Sequence, residues 1–175
     1  MGVNLSKVEK KAKNYSHVLL VMRHAKAEPF NDKGEKQAKI VAKGLVGMKL
    51  LPDRVACSGA VRARQTLERM LKVFGDHPKV EYRQALYDGG MQAVFDELAN
   101  AKDKTRVLMV LGHEPTVSVS CQWLASSDSD MVKLDLLNLG MSTASVVVFG
   151  SDQPFSRWQV HDADLLAVLS PKDFD

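Results

Sequence analysis

Two histidines in this chain each follow an apolar run. His24 closes the string His17-Val18-Leu19-Leu20-Val21-Met22-Arg23, and His113 follows Val107-Leu108-Met109-Val110-Leu111-Gly112. A third, shorter run, Arg54-Val55-Ala56-Cys57-Ser58, leads through Gly59 into a stretch carrying Arg62, Arg64 and Arg69. Continuous runs of β-branched and large aliphatic residues read as buried strands, and open α/β sheets bind ligands beyond the carboxyl ends of their strands. If the three strands are neighbours, Arg23, His24, Arg62 and His113 converge. Two guanidinium forks match phosphoryl oxygens, and an imidazole offers a nitrogen nucleophile or base. The set reads as a site for a phosphoryl dianion with a histidine placed to attack it. Helix starts near Ala60 and Thr116 would add partial positive charge. No carboxylate cluster suggests a metal, neither cysteine sits in a metal-ligand spacing, and no cofactor is expected.

The elements that must hold these residues follow from pattern. Residues 1–16 read as a polar, basic arm. A helix is expected from Asn31 or Asp32, with Ala38, Val41, Ala42, Leu45 and Met48 on one face. Another should run from Ala60 to about Phe74, and further helices from Met91 to Ala99 and from Pro115 or Thr116 to about Leu124. Lys79 to Arg83 is a weaker strand, Ser145 to Phe149 a further one, and Arg157 to His161 a candidate hairpin partner for it. Strands alternating with helices predict a three-layer α/β/α sandwich with a mainly parallel central sheet. No internal repeat or dividing linker is present, so residues 17–175 read as one catalytic domain.

Composition narrows the class. The chain has 175 residues, 45% hydrophobic and 26% charged, enough for one globular core. A formal net charge of +3 is too small to argue for nucleic acid. The apolar runs are too short to cross a bilayer, so no integral membrane segment is expected. Two cysteines, Cys57 and Cys121, cannot make a disulfide framework and fit a reducing, cytoplasmic setting. Met1-Gly2-Val3-Asn4-Leu5-Ser6, followed by Lys7, Lys10, Lys11 and Lys13, matches an N-myristoylation signal with a basic patch. In a eukaryotic cell Gly2 could carry a membrane tether; the alternative is an ordinary polar lead-in helix.

Four segments together resemble one family. Arg23-His24-Ala25 resembles the R-H-G/A signature of the histidine phosphatase superfamily, the phosphoglycerate mutase-like proteins. Asn31-Asp32-Lys33-Gly34-Glu35-Lys36-Gln37-Ala38 is similar to its T-x-x-G-x-x-Q-A helix start. Ser58 to Thr66 is similar to S-x-x-x-R-A-x-Q-T, and Gly112-His113-Glu114-Pro115-Thr116 to G-H-N/E-P-T. They occur in the family's order over residues 17–124. The R-H-A-K and A-V-R-A-R-Q-T wording most resembles the SixA-type phosphohistidine phosphatases.

The resemblance implies a phosphoglycerate mutase-like fold and a role for each matching residue. His24 would take the phosphoryl group and water would release it. Arg23 and Arg62 would hold the phosphoryl oxygens, and His113 would hydrogen-bond the same group. The substrate would be a phosphohistidine protein, with small phosphate esters or phosphoserine/threonine proteins as the alternative. A phosphate-binding module without turnover is a third reading. The chain departs from the pattern after His24, where only Ala25-Lys26-Ala27-Glu28 precedes Pro29. Glu28 stands where relatives often carry an arginine, and Lys26 could supply that charge to the substrate. The candidate general acids are Asp88, beside Gly89-Gly90, and Glu28. An unassigned acid favours an N–P bond over an ester, because an imidazole can leave neutral whereas an alkoxide needs a proton.

Overall fold

The computed structural model describes residues 3–26 and 32–175. Helices and strands alternate: α1 Leu5–Lys13, β1 His17–Arg23, α2 Asp32–Gly47, β2 Arg54–Ser58, α3 Val61–Phe74, β3 Lys79–Arg83 and α4 Ala85–Asp88. Then come α5 Met91–Ala99, β4 Val107–Gly112, α6 Thr116–Leu124, α7 Met131–Asn138, β5 Val146–Ser151 and β6 Asp164–Leu169. Short 3-10 turns occupy Phe155–Arg157 and Pro171–Phe174. The sheet order is β3-β2-β4-β1-β5-β6. β1 to β4 run parallel, and β5 lies antiparallel to both β1 and β6.

The two apolar runs become the central strands because both of their faces are covered. Val18, Leu20 and Met22 pack toward one side with Val107, Met109 and Leu111; Leu19 and Val21 pack toward the other with Leu108 and Val110. This is the period-two alternation of a strand applied to two buried faces. The first face is covered by Val8 and Ala12 of α1, Ala38, Val41, Ala42 and Leu45 of α2, and Ala63, Leu67 and Met70 of α3. The second is covered by Ala93, Val94 and Leu98 of α5 and by Val117, Cys121 and Leu124 of α6. Three layers result, as the strand and helix alternation predicts.

Three elements differ from the sequence expectation. Residues 5–13 of the polar arm form a lead-in helix, the alternative reading of that arm, but one packed on the core rather than projecting from it; Asn4 caps it, its side chain accepting the Lys7 N–H at 3.1 Å. Val8 and Ala12, four residues apart, are the narrow stripe that buries it. Tyr15 then crosses Gly150, where an added Cβ would meet its ring, and its hydroxyl donates to Asp164 Oδ2 at 2.5 Å. The second strand of the C-terminal hairpin is β6, not residues 157–161. Pro154 starts a 3-10 turn there, and Trp158 turns inward, its Nε1–H donating to the Gln153 carbonyl at 2.8 Å. Helix α7 carries no readable period, because Met131, Val132 and Leu136 are exposed and only Leu137 is buried.

The membrane-tether motif includes Met1 and Gly2, which lie outside the described residues. Among the described residues, no helix is long and apolar enough to cross a membrane.

Candidate active site

The order β2-β4-β1 places three strand ends side by side. Arg23 pairs with Gly112 at the end of β1, and Cys57 pairs with Leu111 one residue before Ser58. A cleft of about 720 Å³ opens beyond these ends, lined by Arg23, His24, Lys26, Arg62, Tyr87, His113, Glu114, Pro115, Thr116 and Thr143. The four residues expected to converge therefore do so.

Successive backbone N–H groups hold the Arg23–Lys26 segment to four different parts of the fold. The Arg23 N–H donates to the Ser145 carbonyl and that of His24 to the Gly112 carbonyl, each at 3.1 Å. The Ala25 N–H donates to Thr66 Oγ1 at 2.9 Å, and that of Lys26 to Gln37 Oε1 at 3.0 Å. Gln37 Nε2 donates in turn to Thr143 Oγ1 at 3.2 Å. Gln37 and Thr66 come from the helix-start and A-R-Q-T segments, so these two motifs build the loop rather than the cleft wall.

His24 is 92% buried in effect, with only 8% of its surface exposed. Its Nδ1 lies 2.8 Å from the Ala25 carbonyl oxygen. A carbonyl can only accept, so Nδ1 carries the hydrogen and the neutral ring has its lone pair on Nε2. The His113 ring lies 5.0 Å from that of His24, centroid to centroid, and its Nε2 shares a hydrogen bond of 2.7 Å with Ser58 Oγ. Ser58 Oγ also accepts the Ala60 N–H at the start of α3. Burial, with His24 and Arg62 adding to it, pushes the His113 pKa down to about 4, so this ring is neutral near pH 7.

Arg23 is anchored from behind. Its Nη1 donates to the Met141 carbonyl at 2.8 Å, and its buried Nε has no hydrogen-bond partner among the described residues. The same Met141 offers its N–H to Glu114 Oε2 at 3.2 Å and to Ser118 Oγ at 3.0 Å. Glu114 further accepts the Ser118 N–H at 3.0 Å and the Ser118 hydroxyl at 2.6 Å. Arg62, in the first turn of α3, and Lys26 line the exposed rim. Three fixed cations, Arg23, Lys26 and Arg62, thus face one carboxylate among the described residues of the cleft. The arrangement suits a compact dianion.

No family model matches the chain. An uncharacterized protein of Mycobacterium tuberculosis is 30% identical over 138 residues, covering 73% of this chain and 85% of that one. A solved structure of a candidate phosphohistidine phosphatase SixA from Nakamurella multipartitia matches with a TM-score of 0.75 at 27% identity, over 89% of this chain and 96% of that one. The chain belongs to the histidine phosphatase superfamily, on its SixA-like branch. The structure of the protein histidine phosphatase SixA complexed with tungstate shares the fold of this superfamily member. It matches at a TM-score of 0.71 and 19% identity, over 90% of this chain and 99% of that one.

Other sequence candidates of this SixA-like chain fall differently. Asp88 does not line the cleft; its carboxylate accepts from Gln84 Nε2 at 3.3 Å on an exposed face. The one-turn helix α4 turns Tyr87 inward instead, because buried Leu86 fixes its rotation. Glu28 lies outside the described residues. Arg69 pairs with Glu35 at 2.7 Å, and Arg64 lies over the Tyr82 ring, so neither joins the cleft. Sequence reasoning missed Tyr87, Met141 and Thr143. Met141 acts through its backbone, which leaves no side-chain signal, and Tyr87 and Thr143 lie outside the recognised motifs.

Proposed function

We propose that this SixA-like chain is a phosphohydrolase that uses His24 as nucleophile and acts on phosphohistidine in another protein. The observation that carries the reading is the bond from His24 Nδ1–H to the Ala25 carbonyl, within a cleft that also holds Arg23, Arg62 and His113. Nε2 attacks phosphorus, forming a new N–P bond as the substrate's N–P bond breaks. The electron pair goes to the departing imidazole, which leaves neutral when its other nitrogen carries a proton. The His24 ring becomes cationic, and its Nδ1–H bond to Ala25 strengthens with that charge. Arg23 and Arg62 bind the equatorial oxygens as charge spreads over them. Water then forms a P–O bond while the P–Nε2 bond breaks. The electron pair of that bond returns to Nε2, both protons of the water leave with the product as dihydrogen phosphate, and His24 returns to the neutral tautomer.

Two features support phosphohistidine over an ester. Glu114 is the one carboxylate among the described residues lining the cleft, and its oxygens already accept three hydrogen bonds. An alkoxide leaving group needs a positioned proton donor, whereas an imidazole does not. The rim residues Lys26, Arg62 and Tyr87 are exposed, so the cleft opens to a side chain carried on a protein surface.

The test has two steps. A reactive phosphoryl donor should yield an acid-labile phosphoprotein that His24→Ala cannot form. Parallel hydrolysis of a phosphohistidine peptide, a phosphoserine peptide and small esters should favour the first. Preference for the esters would overturn the substrate, and neither labelling nor hydrolysis would leave a phosphate-binding module.

A further inference from the structure

Tyr87 has no part in binding the phosphoryl group as described above, yet it is held at the mouth of the cleft. Its side chain lines the cleft and the residue is 59% exposed. Its ring stands edge-to-face against His113, with centroids 5.2 Å apart and planes at 74°. Its backbone is held in place by buried Leu86 beside it and by the Tyr87 N–H, which donates to the Gln84 carbonyl at 2.9 Å. Much of an aromatic surface is thus left in water at the mouth of this cleft.

We infer that Tyr87 is a specificity-determining residue, an aromatic platform for the ring that leaves phosphorus; the inference rests on the phosphohydrolase reading above. Centroid steps of 5.0 and 5.2 Å lead from His24 through His113 to Tyr87. In-line displacement sets the leaving group opposite His24. With reacting atoms about 3–3.5 Å apart, the centre of a leaving imidazole lies roughly 7 Å from the centre of the His24 ring. Tyr87 lines the same cleft one ring beyond His113, so a leaving imidazole that departs toward the cleft mouth can meet it at the roughly 4.5–7 Å at which aromatic rings pair. A protonated phosphoimidazole gains further attraction from the electron-rich face of the phenol ring. A serine or small alkyl leaving group offers no ring to this platform, so Tyr87 selects by leaving group while the arginines select for phosphate.

The experiment compares two small N–P substrates that differ in the ring alone, phosphoimidazole and phosphoramidate, by kcat/KM. In Tyr87→Ala the phosphoimidazole-to-phosphoramidate ratio should fall about five- to tenfold, mainly through the KM for phosphoimidazole. Tyr87→Leu, which keeps apolar bulk without a π-face, should fall alike, and Tyr87→Phe should hold the ratio within about twofold. An unchanged ratio in Tyr87→Ala, or a Tyr87→Phe variant as impaired as Tyr87→Ala, overturns this inference while the hydrolase reading stands. Failure of the unaltered protein to cleave either substrate overturns both.

Discussion

The hydroxyl of Thr66 accepts the backbone N–H of Ala25 at 2.9 Å, and it donates to the Arg62 carbonyl one helical turn away at 3.0 Å. One buried side chain therefore ties the residue after His24 to the helix turn that carries Arg62. Thr66→Val keeps the shape and removes both bonds, leaving the Ala25 N–H buried without an acceptor. Urea unfolding should show a loss of about 1–3 kcal/mol. The rate should suffer in kcat, because the freed N–H and the carbonyl that orients His24 belong to the same residue, Ala25. Full activity in Thr66→Val would separate the loop from catalysis.

Arg23 is backed by the Met141 carbonyl, which sets the angle of its guanidinium plane. Arg23→Lys retains charge and loses the fork. By comparison with fixed oxyanion donors, kcat/KM on a phosphohistidine peptide should fall on the order of 10²- to 10³-fold, and Arg62→Ala should fall comparably. Steady-state kinetics decides it; a loss under tenfold in Arg23→Lys would mean that a point charge is enough.

Glu114 reaches the same arginine indirectly, by fixing the Met141 N–H while the Met141 carbonyl holds Arg23. Glu114→Ala removes the acceptor for the Ser118 N–H, the Ser118 hydroxyl and the Met141 N–H together. Hydrogen bonds to charged groups contribute about 1.5–3 kcal/mol each, so a loss of at least about 2 kcal/mol is expected in urea unfolding. Inorganic phosphate should also bind more weakly, as titration calorimetry would report.

His113 gives a pH dependence of defined sign. Its folded pKa, about 4, lies below the unfolded value near 6.5. Between these values the unfolded chain binds more proton, so this residue's influence lowers stability as pH falls from about 6.5 toward about 4 and is absent above 6.5. His113→Asn should lose less stability than the unaltered protein between pH 7.5 and 5, measured by urea midpoint. Parallel curves for the two proteins would contradict the burial of a neutral imidazole.

Tyr15 fastens the end of α1 across the sheet. Its hydrogen bond to Asp164, together with burial, raises the phenol pKa to about 12. Tyr15→Phe should cost about 1–3 kcal/mol at pH 8. Because the folded pKa exceeds the unfolded value near 10, the bond's contribution is complete below pH 10 and declines as pH rises toward 12. The deficit of Tyr15→Phe should therefore narrow between pH 8 and 10.5.

Local pattern was enough for the parts of this chain whose physics is local. Val18–Met22 and Val107–Leu111 are apolar on both faces, so pattern alone marked them as buried strands, and the residues after them and after Arg54–Ser58 would meet at the strand ends if the three strands were neighbours, as the order β2-β4-β1 makes them. Pattern thus named Arg23, His24, Arg62 and His113 as a candidate set, the four motif segments pointed to one family, and strand order completed the convergence. The amphipathic helices α2 and α3 were legible for the same reason, since their period repeats within one segment. Helix α7 was not, because its apolar residues surround it and only packing chose Leu137.

The tertiary structure decided what depends on partners distant in sequence. Gln37 and Thr66 are plain helix residues until Lys26 and Ala25 are laid beside them. Met141 enters the site through a backbone carbonyl 118 residues from Arg23, a contact that no side-chain type announces. Asp88 and Tyr87 are neighbours in sequence, and the burial of Leu86 between sheet and helix turned one to solvent and the other to the cleft. Sequence could name the groups able to hold a phosphoryl dianion. Three-dimensional packing, through Thr66 and Gln37, holds the Ala25–Lys26 segment in the conformation that turns the neighbouring Ala25 carbonyl onto His24 Nδ1.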